Sequence, residues 1–172
     1  LEPPFDRART EAFLRDAGLA EPPRIYAAED GGRFLGYVIF HPYGPDSLEL
    51  GWVLLPEFWG RGYASALTDL LLRRIIEQLA AQGGSAAMVY TSDHGEDIFD
   101  DARHLFLHAS PFPSFWQLHV PLVVWTSPAY RERHADIARC LNANRRKRAE
   151  SNSVFHTLLT MGGVTTSYRN DS

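Results

Sequence analysis

The apolar run Ala86-Ala87-Met88-Val89-Tyr90 ends abruptly in Thr91-Ser92-Asp93-His94-Gly95-Glu96-Asp97, and this stretch constrains the chain most tightly. An apolar run this short, bounded by turn-forming polar residues, reads as a buried strand. At its C-terminal end comes a turn bearing carboxylates and an imidazole. Asp93 through oxygen and His94 through nitrogen can share one divalent cation, a donor pair that suits zinc. Two ligands do not complete a site. A structural zinc normally has four protein ligands and a catalytic one three plus water, so partners must come from elsewhere in the chain.

Length and composition bound the surroundings of that turn. With 172 residues the chain can bury one real core and is marginal for two complete domains. Hydrophobic content of 45% and charged content of 22% are those of a soluble globular protein. A net charge of −4 gives no electrostatic reason to expect nucleic acid. The single cysteine, Cys140, excludes an internal disulfide and is expected to pack beside Ile137 and Leu141 on a helix. No run approaches the roughly 18 apolar residues of a membrane span, and no signal peptide is visible. The chain opens on Leu1 rather than methionine, which leaves room for a lost upstream segment.

Phe5, Ala8, Ala12, Phe13 and Leu14 predict an amphipathic helix ending near Gly18. Strand patterns come next. Arg24 to Asp30, the Gly31-Gly32 turn and Arg33 to Phe40 read as a hairpin, and Leu48 to Leu55 adds a third strand to an antiparallel meander.

The meander runs into Pro56-Glu-Phe-Trp-Gly-Arg-Gly-Tyr-Ala-Ser-Ala-Leu. Gly60, Gly62 and Ala64 allow a tight turn and leave unpaired N–H groups at the start of the next helix, where an anion is favoured. A plain strand-to-helix turn is the alternative. The string Glu49 to Ala64 resembles the central strand and acetyl-CoA loop of the GNAT N-acetyltransferases, with Trp59 to Ala64 fitting the loop form Gln/Arg-x-x-Gly-x-Gly/Ala apart from tryptophan in first place. The resemblance covers about residues 24 to 66. It implies that Gly60, Arg61, Gly62, Tyr63 and Ala64 would offer amides to the pyrophosphate of acetyl-CoA, while Val53 and Leu54 would bond its pantetheine arm. Glu49 is then either a general base or a solvated strand carboxylate.

Ser65 to Ala81 carries apolar residues at 67, 70, 71, 72, 75, 76 and 79, which predicts one amphipathic helix. Beyond it, Tyr90-Thr-Ser-Asp-His-Gly-Glu-Asp, Leu105-Phe-Leu-His-Ala, His119-Val-Pro-Leu-Val-Val-Trp-Thr-Ser and Val154-Phe-His-Thr-Leu-Leu occur in series. In that order they resemble blocks of the sulfatase-like phosphoethanolamine transferases of the alkaline phosphatase superfamily. The resemblance implies an α/β sandwich, zinc ligation by Asp93 and His94, approach of His108 to the phosphate, and transfer through a covalent threonine. It also implies a small-molecule or lipid head-group substrate. The family's threonine and a further acidic ligand lie well upstream in a domain more than twice this length, and nothing in the chain matches them.

The expected chain is therefore composite and α/β: residues 1–66 a partial acetyltransferase-like meander, running through a shared helix into residues 67–172 as part of an alkaline-phosphatase-like sandwich. Asp97, Asp100 and Asp101 read as a solvated acidic loop or as help for the cation, and His104 and His119 as exposed, structural or additional imidazoles. Pro111 to Trp116 is expected to be an aromatic loop at the cleft edge, Leu118 to Trp125 a buried strand and Ala129 to Asn142 one helix. Arg145 to Arg148 should form a solvated connector. Ser151 or Asn152 should cap a last helix in which His156 packs, ended by Gly162-Gly163.

Overall fold

The computed structural model describes residues 6–45, 47–98, 102–104, 106–108 and 112–168. The chain divides into two compact units, Leu1–Ile75 and Ile76–Ser172. Among the described residues the fold is mixed α/β, with six α-helices and three antiparallel sheets.

In the first unit, helix α1 (Arg7–Gly18) starts where the Asp6 side chain accepts from the Arg9 amide at 2.8 Å, satisfying one donor that the helix cannot. Phe5 lies outside the described residues. Strands β1 (Ile25–Asp30), β2 (Arg33–Gly44) and β3 (Ser47–Leu54) pair in sequence order as the predicted meander. Gly31 and Gly32 take φ of 57° and 78°, the left-handed pair that a two-residue hairpin turn needs.

Between β1 and β2 the register slips at Ala28/Glu29, leaving Leu35 unpaired against β1. The slip breaks the alternation of side chains and lets Leu35 join Ala28 against Phe58, which comes from a 3-10 turn at Pro56–Phe58. Leu54, Tyr63 and Leu67 pack on that cluster. Burying a ring such as Phe58 contributes roughly 1.5–3 kcal/mol. Gly36 sits beside the slip, where a Cβ would stand 2.0 Å from the Val53 carbonyl oxygen.

Helix α2 (Tyr63–Gln82) is longer at both ends than the pattern predicts, and the division between units falls inside it. Its apolar stripe is half-buried at Leu67, Leu71, Leu72, Ile75, Ile76 and Leu79, while Leu70 is 64% exposed and no residue of α2 is fully buried. No helix among the described residues is long and apolar enough to cross a membrane.

The second unit continues with β4 (Ala87–Thr91), β5 (Asp97–Ile98), β6 (Phe106–Leu107), α3 (Phe115–Leu118) and β7 (Leu122–Thr126). It ends in α4 (Pro128–Arg133), α5 (Ala135–Asn144) and α6 (Ser153–Met161). β4 pairs with β7, and β5 with β6. Ser127, just past β7, accepts from the amides of Ala86 and Tyr130 and donates to the Gly84 carbonyl, so one hydroxyl closes the sheet's end and caps α4. Tyr130 is buried and its hydroxyl donates to the Met161 carbonyl at 2.7 Å, tying α4 to the end of α6.

The structure corrects several expectations. The strand expected over Leu118 to Trp125 begins at Leu122, because Ser114 caps a helical turn that takes up Phe115–Leu118. The helix expected over Ala129 to Asn142 is broken at His134 (φ −125°, ψ 54°), whose ring lies 4.6 Å from that of Tyr130. Cys140 is exposed, with its sulfur accepting from Asn144. Helix α6 starts without a side-chain cap, Asn152 turning to Glu150 instead. Arg145 to Arg148 are exposed as expected.

Gly36→Ala should lower the stability of the first unit by about 2 kcal/mol, since backbone rather than a flexible side chain blocks the added methyl; chemical denaturation measures it. Burial raises the pKa of the Tyr130 phenol, so the fold favours its neutral form. That contribution is complete below the unfolded value near pH 10 and is lost as pH climbs through the folded one. Tyr130→Phe should cost about 1 kcal/mol at neutral pH and flatten the decline of melting temperature above pH 10.

Candidate metal centre

The turn after β4 is shaped by its own polar side chains. Ser92 Oγ donates to the His94 carbonyl at 2.7 Å, and Asp93 Oδ1 accepts from the His94 amide at 3.0 Å. The chain then enters β5, whose Asp97 pairs with Leu107 of β6. Continued one step, that antiparallel register sets Glu96 opposite His108. In an extended segment residues i and i+2 share a face, so His94 and Glu96 point the same way.

The result is a cluster of His94, Glu96 and His108, with ligand atoms all within 4.8 Å of one another. His108 Nδ1 lies 2.6 Å from Glu96 Oε1, and His94 Nδ1 lies 3.5 Å from the same oxygen. Both rings turn their Nδ1 edge to Glu96 and stack at 3.6 Å between centroids. His94 Nδ1 also lies 3.0 Å from the Gly95 carbonyl, which can only accept, so Nδ1 is the donor there and a neutral ring would carry its lone pair on Nε2. On that side Asp93 Oδ2 stands 3.6 Å from His94 Nε2, close to the separation of two ligands on one small cation. Asp93 is 86% exposed, whereas His94 and Glu96 are about 40% exposed.

The sequence pattern gave Glu96 no role, although its place two residues after His94 was the available signal. Asp97 corrects the expectation of a solvated acidic run: it has no exposed surface and accepts from Ser114 Oγ and Gln117 Nε2, on the face of β5 away from Glu96. Asp100 and Asp101 lie outside the described residues. His104 is exposed at φ 49°, and His119 stacks on Phe115 at 4.6 Å. Phe112, Phe115 and Trp116 of the aromatic loop are all exposed. His156 meets the ring of Phe155 edge-on.

In the first unit, Gly60, Arg61 and Gly62 form the turn before α2, and the bond from the Ala66 amide to the Gly62 carbonyl opens the helix. The amides of Tyr63, Ala64 and Ser65 precede any intrahelical acceptor. The Tyr63 hydroxyl donates to Asp30 at 3.1 Å, which raises its pKa. Val53 is exposed, while the Leu54 carbonyl accepts from Trp59 Nε1 at 2.9 Å. Glu49 Oε2 lies 3.3 Å from His41 Nε2, at the edge of a cavity of about 310 Å³ that Phe13, Ile25 and Ile39 also line.

Comparisons with known proteins give two family matches over overlapping spans of the chain. A family model described as Sulfatase matches residues 60–164, and one described as Acetyltransferase (GNAT) domain matches residues 1–96. The phosphoethanolamine transferase EptA of Salmonella typhimurium is 33% identical over 91 residues, 49% of this chain and 16% of that protein. The Helicobacter pylori EptA is 31% identical over 106 residues, 60% of this chain and 18% of that protein. The Escherichia coli (strain K12) EptA is 33% identical over 88 residues, 49% of this chain and 16% of that protein. The chain thus spans less than a fifth of the length of these curated relatives. No solved structure matches it. Each family model covers more than half of the chain, which therefore belongs to the sulfatase family and, through its N-terminal part, to the GNAT acetyltransferases.

Proposed function

We propose that the second unit is the zinc-binding, phosphate-facing part of a phosphoethanolamine-transfer site in an alkaline-phosphatase-like sandwich. The observation that carries this reading is the pairing of Asp93 Oδ2 with His94 Nε2 at 3.6 Å beside a Glu96–His108 hydrogen bond. Asp93 and His94 Nε2 would hold the metal; oxygen and imidazole donors fit zinc, and the exposure of the pair leaves room for a substrate. A zinc ion there supplies Lewis-acid stabilisation of phosphoryl oxygens. Glu96 fixes the proton of His108 on Nδ1, leaving Nε2 to accept a proton or a hydrogen bond at a phosphoryl group. The substrate class is a small molecule or a lipid head group. By the resemblance the threonine nucleophile would lie upstream of the matched blocks, so this part would supply the metal and phosphate contacts rather than the attacking group.

On this reading, His94→Ala or Asp93→Ala abolishes zinc binding measured by calorimetry. Glu96→Gln, which removes the carboxylate charge beside Nδ1 of the ligating His94 while sparing both ligands, weakens it roughly 10- to 100-fold. Unchanged zinc affinity in the Asp93 variant would sink the assignment.

A second reading is favoured by the GNAT match and by the free amides ahead of α2. We propose that the first unit, about residues 1–66, binds acetyl-CoA through the amides of Gly60 to Ala64, with Val53 and Leu54 along the pantetheine arm and Glu49 as base. The Tyr63–Asp30 hydrogen bond ties that helix start to the hairpin tip. Acetyl-CoA at a hundred times its dissociation constant should stabilise the protein by about 2.7 kcal/mol, read as a thermal shift. Glu49→Gln should keep that shift and lose acyl transfer to an amine; no shift in the unaltered protein would remove this reading.

A further inference from the structure

Asp97 is the only buried carboxylate among the described residues. Taking such a group out of water is costly unless its oxygens are satisfied, and in this chain both are. Ser114 Oγ donates to Oδ1, and Gln117 Nε2 to Oδ2. The same Ser114 hydroxyl oxygen accepts from the Gln117 amide at 3.1 Å and so caps α3. A second tie runs through the backbone: the Gly95 amide donates to the Gln117 carbonyl at 2.9 Å. That approach is close enough that a Cβ on Gly95 would stand 1.8 Å from the Trp116 carbonyl oxygen.

Gly95 and Asp97 flank Glu96. One side of the strand is fastened to α3, and the opposite side presents Glu96 to His94 and His108. A four-residue helix does not hold itself together, so α3 and the 94–97 segment need each other.

We propose that Asp97 is a positioning residue of the metal centre. Through Ser114 and Gln117 it fixes the 94–97 segment so that Glu96 holds His108 Nδ1 and the Nε2 edge of His94 stays turned to Asp93. The inference rests on the zinc reading of Asp93 and His94. A merely structural role would appear in stability alone, whereas a positioning role changes how the ligands meet the metal.

Cobalt(II), whose visible absorption reports coordination geometry, tests this in the full chain. Ser114→Ala and Asp97→Asn should each weaken cobalt affinity roughly 10- to 100-fold and alter the visible spectrum. Ser114→Thr, which keeps the hydroxyl, should restore both. If the alanine and asparagine variants melt cooperatively and keep the original affinity and spectrum, the positioning role is overturned while the zinc reading stands. Cobalt binding by His94→Ala equal to that of the unaltered protein overturns the zinc reading itself. Should Asp97→Asn fail to fold, Ser114→Ala decides, since it removes the hydroxyl's two hydrogen bonds and keeps the charge of Asp97.

Discussion

Two backbone pairs, Asp97 with Leu107 and Ile98 with Phe106, gather the second unit's chemistry. A ladder this short is marginal by itself. Both faces of the chain at its start are engaged: Glu96, just before β5, meets two imidazoles, and Asp97 meets Ser114 and Gln117 on the other side. Alternation along an extended chain gives neighbouring carboxylates opposite fates. One is half open to solvent and shared between histidines, and the other is sealed inside.

Much of the first unit was legible because its signals are local. The Gly31-Gly32 turn, the meander and the glycine-bearing turn before α2 depend on residues close in sequence. The Asp93–His94 turn was legible as a turn for the same reason. Glu96 and Asp97 were not separable from a generic acidic turn, because their roles depend on partners at 108, 114 and 117. The break at His134 was equally hidden. Helical periodicity continues through it, and the His134 ring lies beside Tyr130, itself anchored to Met161 far along the chain. Cys140 shows the limit of pattern from the other side: its apolar neighbours in sequence do not cover it.

The two family matches overlap over residues 60–96, a span that contains all of α2 and β4. A long stretch rich in leucine, isoleucine, alanine and arginine favours helix by intrinsic preference, with its apolar stripe set by packing. The apolar stripe of α2 is half-buried, and its first turns pack through Tyr63 and Leu67 on the Phe58 cluster.

β4 and β7 meet with Thr91 opposite Leu122, so the excursion between them holds His94, Glu96, Asp97, His108, Ser114 and Gln117. Closing a loop of about 30 residues costs entropy that grows only as the logarithm of its length, yet it must be met before any of these side chains can find its partner. The site therefore assembles after the sheet that frames it. If the site holds the proposed zinc, a cation added to the unfolded chain finds scattered ligands and no nucleus, so metal would slow unfolding far more than it speeds folding.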